Sequence, residues 1–170
     1  MSQQKLASRI QKIADKIEKD YPDKTNPPVL LIITNGAIYF GVILSLMLQR
    51  MGLSHMIDTT RIARYAGDKK TKQIRMISKP GINLAGKDVI VIEDLVDEGK
   101  TLNFLNKYLL SQKTKSIKYC VLAVKEEHKK LDFEVTYKVI KKELGPEWLV
   151  GFGMDSEQLF RGLDCIYSKV

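Results

Sequence analysis

The sequence predicts an α/β protein on a parallel sheet, and three observations carry that reading. Apolar runs at 29–34, 89–92 and 116–125 have the near-continuous hydrophobicity of strands buried on both faces. Segments of helical spacing alternate with these runs, as they do in parallel sheets with crossover helices. At 89–102 an apolar run passes straight into an acidic loop and then into a new helix, the strand–loop–helix unit of such a sheet.

The elements follow in order. Leu6, Ile10, Ile13, Ala14 and Ile17 fall on one helical face, so 4–20 is an amphipathic helix, broken by Pro22 to Pro28. Residues 29–34 form a buried strand, and Gly36 opens a helix to about Arg50. A strand at 58–65 leads to a polar mobile loop at about 66–74, with a returning strand at 75–79. After the acidic loop, Leu102, Leu105 and Leu109 line one helix face, and 116–125 is a strand ending on Lys125. Strands near 135–140, 149–152 and 164–168 complete the chain and form a hood, together with the mobile loop, over the sheet's ligand edge.

A length of 170 residues and 44% hydrophobic content suit one globular domain. The longest apolar runs, 29–33 and 41–48, are far too short to span a bilayer, and the N-terminus lacks a signal peptide's apolar stretch. Cys120 and Cys165 have no metal-site or disulfide spacing and read as buried thiols of a cytoplasmic protein. The net charge of +8 fits either nucleic acid or an anionic small molecule. No aromatic-interleaved basic helix or RNA-binding signature is present and the lysines scatter, which favours a polyanionic substrate over nucleic acid as main partner.

The loop itself is Glu93-Asp94-Leu95-Val96-Asp97-Glu98-Gly99-Lys100-Thr101-Leu102. A helix N-terminus beyond a strand offers free N–H groups and a positive dipole end, which suit a phosphate. Carboxylates beside it suit something else on the same ligand, such as sugar hydroxyls, a metal or a reacting proton. A Walker A loop is excluded, because Asp94 stands where its first glycine belongs. A Rossmann fingerprint is excluded as well, because Gly151-Phe152-Gly153 is not followed by a third glycine in register.

An apolar strand, paired acids, two apolar residues, Asp, then x-Gly-x-Thr resembles the phosphoribosyl pyrophosphate (PRPP) signature of type I phosphoribosyltransferases. Over about 10–167 the chain resembles the hypoxanthine-guanine members of that family, in their bacterial form. The resemblance implies the type I fold, Mg²⁺ as cofactor, and PRPP with a 6-oxopurine as substrates. It also implies a homodimer or homotetramer and purine salvage to IMP or GMP. Glu93 and Asp94 would hold the ribose hydroxyls and contact the metal through water. Asp97 would serve as base for the purine N7 proton. Glu98, Gly99, Lys100, Thr101 and Leu102 would cradle the 5′-phosphate, although Glu98 replaces the family's usual Thr.

Four other stretches match. Asn35 and Gly36 stand in the family's pyrophosphate loop, whose non-proline cis peptide would join Thr34 to Asn35. Arg64 and Tyr65 precede the mobile loop, where the family has Ser-Tyr, and would face pyrophosphate. Lys125 would donate to the purine O6 and reject adenine. Trp148 would stack on the base, and Leu149 would offer backbone groups to its edge. Asp155 would bind Mg²⁺, and Arg161 would contact pyrophosphate. His55 and His128 read as surface residues. Two alternatives remain on the same fold: a xanthine-preferring enzyme, and a PRPP-sensing RNA-binding regulator. About 28 residues precede the first strand, too few for an added DNA-binding domain.

Overall fold

The computed structural model describes residues 1–23, 25–66, 72–125, 130–140 and 147–169, with the side chains of 64–66 and 72 outside the description. Helix α1 (Gln3–Asp20) buries Leu6, Ile10, Ile13, Ala14 and Ile17 on one face. Each such aliphatic burial is worth about 1.5–3 kcal/mol, so packing holds this helix. Its N-cap residue, Ser2, makes no side-chain capping bond.

The main sheet has the order β3-β2-β1-β4-β5-β6. Strands β1 (Val29–Thr34), β2 (Met56–Ala66), β4 (Asp88–Val96), β5 (Ser116–Val124) and β6 (Tyr137–Lys138) run parallel. Only β3 (Lys72–Ser78) is antiparallel, against β2. Helices α1 and α2 (Ile38–Arg50) cover one face, and α3 (Lys100–Ser111) covers the other. Side chains alternate between the two cores as the pleat requires. Leu30, Ile32, Ile90 and Ile92 join α1 and α2, whereas Val29, Leu31, Val89 and Val91 join Leu102, Leu105 and Leu109 of α3. Strand β7 (Trp148–Val150) and β8 (Tyr167–Lys169) form a separate antiparallel pair, the hood.

At the opposite end of the sheet from the acidic loop, Asp88 begins β4. It accepts hydrogen bonds from Asn26 Nδ2 at 3.2 Å, Lys115 Nζ at 2.9 Å and the Ser116 hydroxyl. Burial alone would raise this carboxyl's pKa, but the Ser116 and Lys115 bonds outweigh burial and hold it below the ordinary value.

The structure adjusts several expectations. Ala66 pairs with Lys72, so the expected loop at 66–74 narrows at both ends, and 67–71 lie outside the described residues. Polar Lys72 and Gln73 join the ladder because strand pairing is made by main-chain groups and not by side chains. Helix α2 begins at Ile38, because 35–37 are spent on a turn. The β6 ladder is short, but Val139 and Ile140 continue it with bonds to Val121 O and Leu122 O. Strand β7 stops at Val150 because Gly151 and Phe152 adopt positive φ. Cys165 is only partly buried, since it lies in the turn before β8, whereas Cys120 in β5 is fully enclosed. His55 is bonded through both ring nitrogens, to Ser45 Oγ and Leu53 O, and is a structural link. His128 lies outside the described residues.

Candidate active site

The carboxyl ends of β1 and β4, neighbours in the sheet, carry the first half of the site. After β1 the Thr34–Asn35 peptide is cis. The turn that follows is fixed by Ala37 N to Ile33 O at 3.2 Å and Ile38 N to Asn35 O at 3.3 Å. Gly36 lies flush against Asp94, and a Cβ there would collide with the Asp94 carboxylate. The requirement at 36 is therefore for close approach, and it brings the turn after β1 against the end of β4.

Along β4, Glu93 is only 7% exposed, and its Oε1 accepts the Asp94 N–H at 3.1 Å. Asp94 Oδ1 accepts Leu95 N–H at 2.7 Å. Asp97 is half-buried and makes no hydrogen bond or ion pair with any described residue. Its carboxylate is thus available to a ligand. Gly99, in the left-handed conformation at φ 77°, turns the chain into α3. The N–H groups of the first helical turn have no intrahelical acceptors, so an anion can take them. The Glu98 carboxylate turns outward to the Lys100 ammonium at 3.0 Å. Lys125 follows β5 half-buried, its N–H bonded to Val96 O at 2.8 Å, which sets it beside the Asp97 loop.

The hood carries the second half. Trp148 is 59% exposed, and its indole N–H donates to Asp155 O at 2.7 Å, so the ring is anchored with its faces open. Arg161 donates to Gly153 O at 2.7 Å and pairs with Asp155 Oδ1 at 2.6 Å. Asp155 Oδ2 accepts Gln158 N–H at 2.8 Å. Leu149 is buried, which leaves its backbone and not its side chain to meet a ligand. Gly153 rests on Gly36 O with no room for a side chain, so hood and β1 turn are in contact. Gly153 and Gln158 were missed in the sequence. The signal for Gly153 was the Gly-Phe-Gly at 151–153, which was not read as marking a close backbone contact. Arg64 and Tyr65 lie in β2 opposite Ile74 and Gln73.

The metal expectation can be tested on the donor set. Among the described residues, no three Asp, Glu, His or Cys side chains cluster as a self-contained metal site. Glu93, Asp94 and Asp155 nevertheless supply hard oxygen atoms, and Mg²⁺ commonly takes one or two carboxylates while keeping waters and substrate phosphates. The residues fit a metal that arrives with a polyphosphate.

The model of the phosphoribosyl transferase domain family matches residues 2–157. This chain belongs to that family. It is 28% identical to the hypoxanthine-guanine phosphoribosyltransferase of Staphylococcus epidermidis over 98% of this chain and 89% of the relative. The Staphylococcus aureus enzyme matches to the same extent. Among solved structures, a hypoxanthine-guanine phosphoribosyltransferase from Bacillus anthracis aligns with a TM-score of 0.89 and 28% identity, covering 100% of this chain and 96% of that one. A hypoxanthine phosphoribosyl transferase of Trypanosoma cruzi aligns with a TM-score of 0.90 and 25% identity, over 98% of this chain and 88% of that one. In this phosphoribosyltransferase the acidic loop and the cis turn therefore meet at the ligand edge of the family's fold.

Proposed function

We propose that this phosphoribosyltransferase salvages 6-oxopurines, transferring the 5-phosphoribosyl group of PRPP to N9 of hypoxanthine or guanine to give IMP or GMP and pyrophosphate. The observation that carries this reading is the Asp97 carboxylate, unpartnered among the described residues, standing between a helix N-terminus and Lys125.

Main-chain N–H groups from Glu98 to Leu102, with the Thr101 hydroxyl, hold the 5′-phosphate. Glu93 and Asp94 hold the ribose 2′- and 3′-hydroxyls. The base is placed by stacking on Trp148, by the Leu149 backbone, and by Lys125 donating to O6. An amino group at that position would leave the lysine unpaired, which excludes adenine. As the C1′–O bond to pyrophosphate breaks and N9 bonds to C1′, Asp97 takes the N7 proton. Asn35, Gly36, Arg64, Tyr65 and Arg161 receive the departing pyrophosphate. Glu93, Asp94 and Asp155 would hold Mg²⁺, which neutralises pyrophosphate charge when bound.

A cytoplasmic location belongs to the same proposal, supported by two free thiols. Among the described residues no helix is long and apolar enough to cross a membrane. So does a homo-oligomer, a dimer or a tetramer. Ile38, Val42 and Leu46 lie one turn apart on α2 and are all exposed, an apolar stripe suited to a second copy. Light scattering of the purified chain reads that state.

The direct experiment incubates the protein with PRPP, Mg²⁺ and single bases, and follows nucleotide formation. Hypoxanthine and guanine should be converted and adenine refused. Conversion of xanthine far ahead of both would move the assignment to a xanthine enzyme, and no conversion of any purine would end it.

A further inference from the structure

Five of the chain's 28 Lys and Arg residues lie on one helix, and they share one face of it. Lys5, Arg9, Lys12, Lys16 and Lys19 occupy α1 at intervals of four, three, four and three residues. At 3.6 residues per turn these five fall within an arc of about 80°, and at 1.5 Å per residue they extend about 21 Å. The buried stripe Leu6, Ile10, Ile13, Ala14 and Ile17 holds the helix against the body, so the basic arc is presented outward. Lys5, Arg9, Lys12 and Lys19 make no ion pair with any described residue.

The acids of α1 do not cancel this arc. Asp15, which accepts from Gln11 Nε2 at 2.8 Å, and Glu18 fall outside it. Asp20 borders it but is already engaged by Lys118 Nζ at 3.2 Å and Tyr137 OH at 2.7 Å. Beside the arc, α1 and β6 enclose a cleft of about 310 Å³ lined by Arg9, Lys12, Ile13, Lys16, Lys138 and Val139. Four of these six are cationic and none is acidic. Lys16 is drawn to the β6 rim, 3.5 Å from Thr136 O and 5.3 Å from the Tyr137 ring centre. No member of the arc belongs to the phosphate loop, the cis turn or the hood.

We propose that the outer face of α1 and its flanking cleft bind the sugar-phosphate backbone of a single-stranded nucleic acid, apart from the phosphoribosyl transfer site. A row of cations about 21 Å long faces about six phosphates of a stacked strand, at one per 3.4 Å of rise. An anionic membrane is the weaker match. Stable docking on lipid calls for an apolar insert or a second anchor beside the basic residues, and no large apolar side chain of α1 is exposed. Contacts of this kind read charge and not sequence.

The test measures fluorescence anisotropy of a labelled 12-nucleotide oligouridylate with the full chain at 50 and 200 mM salt. Five phosphate contacts give a slope of about −3.5 in log K against log salt for a single strand, an affinity loss of about 130-fold over that range. Arg9→Glu with Lys12→Glu and Lys16→Glu should weaken binding and reduce the salt-dependent loss to about 7-fold. The neutral triple, Arg9→Gln with Lys12→Gln and Lys16→Gln, should give the same reduced slope and guards against unfolding of the reversed variant. Lys79→Glu with Lys87→Glu and Lys107→Glu makes the same change in net charge elsewhere and should leave most of the slope. Purine turnover should be unchanged in all three. Equal loss in the control variant, no binding at 50 mM salt, or binding only to phosphatidylserine vesicles would each overturn the proposal.

Discussion

The two halves of the site are built by different means. The acidic loop ends a nine-residue strand flanked on both sides by parallel partners, and its helix is locked by Leu102, Leu105 and Leu109. Its geometry is fixed by the core. The hood rests on a three-residue strand pair and on polar links around Arg161, Asp155, Gly153 and Trp148. On the proposed assignment the ribose and 5′-phosphate meet the rigid half, while the hood offers Trp148 to the base and Asp155 and Arg161 to the metal and pyrophosphate. Turnover should be lost by altering the first and substrate affinity by altering the second.

The sharpest way to break that division is Asp97→Asn. Turnover should fall about 10²–10⁴-fold, with little change in PRPP affinity, as removal of a general base predicts. Unchanged turnover in a stopped assay would take Asp97 out of the reaction. Gly36→Ala drives a methyl group into the Asp94 carboxylate and should cost about 10²-fold in kcat/KM for PRPP, as small displacements at a reacting site do. Its melting temperature should stay close to the parent's, which separates this effect from misfolding. Arg161→Ala frees Asp155 and Gly153 at once, and charge-assisted bonds of this kind are worth about 1.5–3 kcal/mol. PRPP KM should rise by about 10-fold or more, and a change confined to the base would show that Arg161 does not meet the pyrophosphate. Glu98→Thr removes a carboxylate near the phosphate cradle and adds a hydroxyl. PRPP KM should drop by about 2–5-fold, in line with the 0.3–1 kcal/mol range for a charge near a helix end. No change would show that the Lys100 pairing already neutralises Glu98.

The same division explains what was legible in the sequence. Residues 89–102 are contiguous, so apolar strand, acids, glycine and helix face can be read in one window, although Glu93 to Val96 continue β4 and the loop proper begins only at Asp97. The alternating strands and helices were equally legible, because their hydrophobic periods are local. The hood was not. Gly153 meets Gly36 across more than a hundred residues, and no local pattern announces that contact. Asp155 and Arg161 were singled out separately. That they pair with each other depends on a turn with positive φ at Glu157, Gln158 and Phe160, residue types that rarely signal such a conformation.

Asp88 ties three stretches of chain to the far end of the sheet, and its ionised form is what those donors require. Because its folded pKa lies below 3.8, the stabilisation it supplies is complete above about pH 4 and drains away as the medium is acidified through the lower folded value. Asp88→Asn should therefore melt at a lower temperature than the parent near neutrality, and the two melting curves should converge in strong acid. The foot of the sheet, at the opposite end from the acidic loop, would then contribute to how sour a solution this enzyme survives.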